Sequence, residues 1–530
     1  MIDTVIEGAT VYDGVRTTPD RADVGLVDGR IALIGALGER EAATRVDGRG
    51  LALAPGFIDV HSHSDELWLV DPRCEGKIAQ GVTTEIGGNC GSSVAPLRGL
   101  AHERKREEAA NYRLDADWRD LDEFFGLVER GGVALNVATL LGLGTVRRCV
   151  RGDREGRLDD GELRLETSLV REAIERGAIG VSSGLIYTPS RYADLDELTA
   201  CAAAAGAAGA PRYVSHIRSE GDTLLEAVDE GLEVGRRAEV AVQFSHHKAA
   251  GKKNWGKVHR TLAMIERARE RSGLAVNADV YPYTASWTDL ATILPDDVRD
   301  GGREATLARL EDPPTASAIA LRIELDWAGL WNDILITTVE TERNAALAGM
   351  RIDEIAREWG LAPARAALRL LIEERLEPQA IFFTMNEDDV AAVLSAPFTC
   401  IGSDASARAL AGPTARGVPH PRTFGCFPRV FGRFVRGRRT LEIGEAIRRM
   451  TSLPADIFGL RDRGRIEIGA FADLVLFDPE GIVDTATYEK PYAYPRGIDA
   501  VWVNGHAALR DGAPTGTLGG RVLRGGRSST

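Results

Sequence analysis

Eight short apolar segments recur along this chain, with helical patterns between many of them, and this alternation constrains the fold more than any other feature. The segments are Phe57–Val60, Val82–Ile86, Ala134–Thr139, Ile179–Ser182, Tyr213–His216, Val240–Ser245, Leu274–Asp279 and Phe398–Gly402. Helical stretches such as Glu162–Arg176, Thr223–Ala238, Val258–Ser272 and Asp388–Leu394 lie between them. Buried strands in β-then-α order, eight times over, predict an α/β protein of the (β/α)8 TIM-barrel type. The gap from Tyr283 to Ala396 is too long for a simple connection and has helical patterns of its own. An insertion over roughly 285–395 is therefore expected between strands seven and eight, placed to cover the barrel mouth as a lid.

The two ends read as β. Val5–Tyr12 and Val24–Ile31 are strand-like, with a hairpin signal at Asp28-Gly29, and so are Ile466–Gly469, Ala472–Phe477 and Val501–Gly505. Neither end alone is large enough to bury a sheet face, so both are expected to pair into one small β-sandwich. The expected division is sandwich over 1–55, barrel with insertion over 56–464, sandwich again over 465–516, and a loose Gly- and Arg-rich tail over 517–530. A net charge of -14 argues against nucleic acid as a partner. No apolar run is long enough to span a bilayer, and the N-terminus carries neither a basic region nor an apolar signal core. Six scattered cysteines, none in a C-x-x-C pair, point to a reduced, cytoplasmic setting without membrane partners. The oligomeric state is left open.

In such a barrel, chemistry collects at the C-terminal ends of the strands. Strand one ends Phe57-Ile58-Asp59-Val60-His61-Ser62-His63, and on an extended backbone His61 and His63 face the same side, where both can reach one metal ion. Cys90 closes Gly87-Gly88-Asn89-Cys90-Gly91 after strand two, His216 ends strand five, His246 ends strand six, and Asp404 ends strand eight. The chain has nine histidines, and four occupy these slots, which makes chance the weaker explanation. Four imidazoles, one thiolate and one carboxylate suffice for one or two zinc ions with positions open to water. His247 should point away from the centre, and His102, His259, His420 and His506 are expected on the surface or in loops. Asp59 and Asp65 flank the histidine pair, where orienting a ligand and capping a turn are equally good readings. Lys248, Tyr281 and Arg422 also fall near strand ends. In an acidic protein a lysine and an arginine beside a metal suggest capture of a substrate carboxylate, although surface charges would look the same in sequence.

These motifs also run in the order of a known family. Pro55–His63, Gln80-Gly81-Val82-Thr83-Thr84 through Gly88-Asn89-Cys90-Gly91, Gly177–Leu185, Ser215-His216-Ile217-Arg218 and Ser245-His246-His247-Lys248 resemble the amidohydrolase superfamily. With Asp279–Tyr283, Gly402-Ser403-Asp404 and His420-Pro421-Arg422, the chain is similar, within that superfamily, to the N-acyl-D-amino-acid deacylases (D-aminoacylases). The H-x-H pair marks only the superfamily; the Gly-Asn-Cys-Gly element with Ser-His-His-Lys is much narrower. The resemblance implies that Cys90 stands where many relatives use a carboxylated lysine. It implies a tight zinc held by Cys90, His216 and His246, and a second, weaker or optional site at His61, His63 and Asp404. It also implies that Lys248, Tyr281 and Arg422 grip the substrate α-carboxylate.

The expected reaction is zinc-dependent hydrolysis of the amide of a small N-acyl-D-amino acid, with Asp404 moving a proton from water to the leaving amine. The D configuration rests wholly on the resemblance. Gly142-Leu143-Gly144 replaces a Gly-His-Gly pattern, and Ala405 stands where glycine is common, so the side-chain preference is expected to be shifted. A cyclic-amide hydrolase of the hydantoinase or dihydropyrimidinase kind is the alternative, disfavoured by the cysteine in place of a bridging lysine. A non-catalytic barrel scaffold is disfavoured because all six ligands are present.

Overall fold

The computed structural model describes residues 1–36, 38 and 40–525 and shows a mixed α/β chain. Each of the eight expected segments contains a strand: Phe57–Asp59, Val82–Gly87, Asn136–Thr139, Val181–Gly184, Arg212–His216, Ala241–Phe244, Val276–Val280 and Thr399–Ile401. All of their pairings are parallel. The first three pair in chain order, and so do the last five, which begin from the short strand Leu141–Gly142. Two sets of hydrogen bonds join the runs. Ile179 N donates to Thr139 O at 2.9 Å on one side, and Asp404 N donates to His61 O at 2.8 Å on the other. Nearly every residue of these strands is buried, as strands covered on both faces must be, and helices such as Asp160–Glu175, Leu224–Ala238 and Lys257–Ser272 run between them. Asp159 and Glu162 close a capping box at the start of the first of these helices, which fixes where it begins.

Strands from both chain ends meet in one nine-stranded sheet. Its junction is the antiparallel pair of Ala52–Pro55 with Leu474–Phe477, which buries Leu53, Leu474 and Leu476 in one apolar cluster with Ile6 and Val24. Two expectations are corrected here. Ile466–Gly469 forms no strand; it is a turn in which Ala470 N donates to Glu467 O at 3.1 Å and Gly469 takes a φ of 92°. The segment from 517 is not a loose tail over its described part. Val137 N donates to Arg521 O (2.9 Å), Leu523 N to Val137 O (2.7 Å) and Gly525 N to Gly177 O (2.9 Å). Strands three and four leave backbone groups open at their beginnings, and residues 521–525 satisfy them from one extended segment. Residues 526–530 of the expected tail lie outside the described residues.

Between Tyr283 and Phe398 the chain adds a three-stranded antiparallel sheet of Ser286–Asp289, Gln379–Phe382 and Ile334–Thr338, with four α-helices of eight residues or more between its first and last strands. This part has its own apolar core, with Leu310, Ile323, Trp331, Ile336, Ile355 and Leu371 fully or nearly fully buried. Among the described residues, no helix is long and apolar enough to cross a membrane.

Candidate metal centre

The six ligand-type residues named from sequence come together. His61, His63, Cys90 and Asp404 each offer one atom within 4.8 Å of the others, and Cys90, His216 and His246 form a second such group, so Cys90 is common to both. Cys90 Sγ lies 3.3 Å from His61 Nε2 and 3.5 Å from His246 Nε2, and His63 Nε2 lies 3.1 Å from Asp404 Oδ1. His246 Nε2 is 2.9 Å from His216 Nδ1, while His216 Nε2 is buried with no hydrogen-bond partner. Soft thiolate, imidazole and carboxylate atoms converging in this way are a donor set suited to zinc.

The backbone at three of the ligand-type residues is unusual. Cys90, His246 and Asp404 have φ of 52°, 35° and 50°, a left-handed conformation that non-glycine residues rarely adopt and that the surroundings must impose. For Cys90 the cause is visible on both sides. A Cβ on Gly88 would lie 2.0 Å from Leu140 O, and one on Gly91 would lie 2.7 Å from Gly184 N, so only glycine fits the tight loop that presents the thiol. Burial pushes the Cys90 thiol up, but His61 and His246 outweigh it and hold it well below the usual thiol range. Asp404 is likewise pushed up by burial and brought well below the usual carboxylate range by Arg422, His246 and His61.

Four supporting residues, Asp279, Glu220, Asp59 and Lys77, escaped sequence reasoning or were weighed only as alternatives. Asp279 Oδ1 accepts from His61 Nδ1 (3.0 Å) and His246 N (2.8 Å), fixing the His61 ring and the turn that carries His246. Glu220 Oε1 sits 2.9 Å from His246 Nδ1 and also binds Lys248. Beneath the His61–His63 turn, Asp59 accepts from His61 N and Ser403 N, and the fully buried Lys77 ties it to Glu85, Ser403 and Ala405 O at 2.6–2.9 Å. Burial pulls the Lys77 ammonium down, but Asp59 and Glu85 outweigh this and keep it charged. Lys77→Met should therefore cost about 3–5 kcal/mol, because it leaves two buried carboxylates without their cation. Urea unfolding of the pair of proteins checks this, and a change below 1 kcal/mol, roughly a surface-pair value, would count against it.

The proposed carboxylate-binding residues divide. Arg422 is 1 % exposed; its Nη2 is 2.9 Å from Asp404 Oδ2, while Nε and Nη1 are buried without partners. Lys248 lines the same cleft, but its ammonium is engaged by Glu220 and by His246 Nδ1 at 2.8 Å. Tyr281 lies under the Arg422 guanidinium, 4.5 Å from it, and its hydroxyl donates to Met385 Sδ at 3.6 Å, so it backs the cleft rather than facing it. His247 is turned away onto Thr261, as expected. His420, expected on the surface or in a loop, lies in a loop but is fully buried. Its Nε2 bonds Ala285 O and its Nδ1 accepts from Arg422 N, which anchors the start of the arginine's helix. The cleft has a volume of about 600 Å³, and Trp287, Thr288 and Asp289 of the inserted sheet form part of its wall. On that wall burial, with a push from Glu108, raises the Asp289 carboxyl to about 6.

A family model described as the amidohydrolase family matches residues 44–508, the span that contains every one of these residues. The chain belongs to the amidohydrolase family. It is 38% identical over 528 residues to an N-acyl-D-glutamate deacylase of Alcaligenes xylosoxydans xylosoxydans, covering 99% of this chain and 96% of that one. A D-aminoacylase of the same organism is 36% identical over 530 residues, covering 98% and 97%. Among solved structures, N-acyl-D-glutamate deacylase from Bordetella bronchiseptica, complexed with zinc and a phosphonate that mimics the tetrahedral intermediate, superposes with a TM-score of 0.83 at 35% identity over 99% of both chains.

Proposed function

We propose that this chain is a zinc-dependent deacylase that hydrolyses N-acyl-D-amino acids to a carboxylate and a free D-amino acid. The observation that carries the reading is Cys90, shared by two donor groups, with the half-satisfied guanidinium of Arg422 on the far side of Asp404. Cys90, His216 and His246 would hold one zinc, and His61, His63 and Asp404 would complete a second, optional site. When bound, the metal supplies Lewis acidity toward the attacking water and the scissile carbonyl. Asp404 takes the proton from that water and returns it to the leaving amine nitrogen. In the resting site it is ionised, and Arg422 steadies the carboxylate.

Arg422, with two nitrogens free, takes the substrate α-carboxylate; Lys248, which lines the same cleft, assists, and Tyr281 supports the guanidinium from behind. In this reading the eight parallel strands close as a (β/α)8 barrel, the end sheet is a sandwich domain over 1–55 and 465–516, and residues 285–395 act as its lid. All six cysteines are free thiols, which supports a cytoplasmic setting. The cyclic-amide alternative is disfavoured by the thiol at the position of a bridging lysine, and the nearby buried Lys77 is consumed by Asp59 and Glu85.

The test is release of free amine from paired N-acetyl-D- and N-acetyl-L-amino acids by the zinc-loaded protein. Hydrolysis confined to the D series is expected. Turnover of neither series, with zinc bound, would overturn the assignment.

A further inference from the structure

Charge pairing in the cleft leaves one residue out. Among the described residues, every other lysine or arginine that lines it, from Arg104 through to Arg422, has a carboxylate within ion-pair distance. Arg408 has none. It is 6 % exposed, its Nη1 donates to Arg416 O at 2.6 Å, and its Nε is buried without a partner. Removing a guanidinium from water without a counter-charge is costly, and an anion entering the cleft would offset that cost.

The position of Arg408 makes it useful to a substrate held at Arg422. Both guanidinium groups pack on the Trp287 indole, with their central carbons 5.3 Å (Arg408) and 5.9 Å (Arg422) from the ring centroid. The backbone that carries Arg408 is fixed, since Ala407 N donates to Ser64 Oγ at 2.7 Å and Arg408 O accepts from Gly76 N at 2.9 Å. Two preset cations on one indole, each with an unused buried Nε, suit a molecule with two carboxylates.

We propose that Arg408 is a specificity-determining residue that binds the side-chain carboxylate of the substrate, so that the preferred class is N-acyl-D-amino acids with an acidic side chain. The inference rests on the deacylase reading above and adds the identity of the side chain.

The test compares kcat/KM for N-acetyl-D-glutamate with N-acetyl-D-glutamine, and N-acetyl-D-aspartate with N-acetyl-D-asparagine, on the zinc-loaded protein. Each pair differs by the charge but hardly in shape. The acid is expected to be favoured in at least one pair by on the order of 100-fold. In Arg408→Met that ratio should fall to within about threefold of one, and Arg408→Lys should keep part of it. A parent ratio near one in both pairs, or a folded Arg408→Met that keeps the parent ratio, overturns the proposal while leaving the deacylase reading intact. Turnover of none of the four substrates, nor of any neutral N-acetyl-D-amino acid, overturns both. If Arg408→Met does not fold, the parent ratio and Arg408→Lys still decide.

Discussion

Replacing Cys90 with alanine is expected to remove the bound metal and the activity together. Cys90 is the single residue common to both donor groups, and in the group with His216 and His246 it is the only anionic donor. Without it, that group keeps two imidazoles, 2.9 Å apart, and no anionic donor for a divalent cation. The thiol is held in its ionised form by His61 and His246 and presented by a loop that glycines at 88 and 91 make possible, so nothing adjacent can take its place. The loss of activity should exceed the roughly 10–100-fold typical of losing a supporting group around a metal. Elemental analysis and kinetics on the same preparation give the answer. A Cys90→Ala protein with stoichiometric zinc and activity within about tenfold of the parent would remove Cys90 from the ligand set.

Asp404→Asn should lower kcat by about 10²–10⁴ while sparing zinc at Cys90, His216 and His246. The amide keeps the shape of the carboxylate and can still accept from Arg422, but it cannot carry a proton between water and amine. The two roles proposed for Asp404, proton carrier and ligand of the second site, separate in one experiment. A large fall in kcat with zinc retained and KM little changed indicates proton transfer. A fall that tracks loss of zinc indicates a ligand alone, and near-full activity would refute the proton role.

The residues that the sequence marked and the structure brings together share one property. His61, His63, His216, His246 and Asp404 stand at the ends of short apolar strands, and Cys90 in a glycine-rich loop after one; alternation and turn chemistry are local signals. What was missed or misplaced depends on partners far away in the chain. Asp279 acts on His61 across 218 positions, and Lys77 meets Ser403 across 326. His420 looks like a loop histidine in sequence but is buried between Ala285 and Arg422. Tyr281 keeps its place beside Arg422, yet its hydroxyl turns to Met385, a choice no local pattern encodes. The tail from 517 looks disordered by composition, and it is ordered through residue 525 because other strands leave backbone groups open there.

The sequence by itself therefore determined which strand ends carry the metal-type side chains, because a period of two and a following glycine fix direction within a few residues. Only the tertiary structure decided which carboxylate neutralises which cation. That matching depends on distances between residues hundreds of positions apart, and among the described residues it leaves one buried guanidinium, Arg408, without a carboxylate.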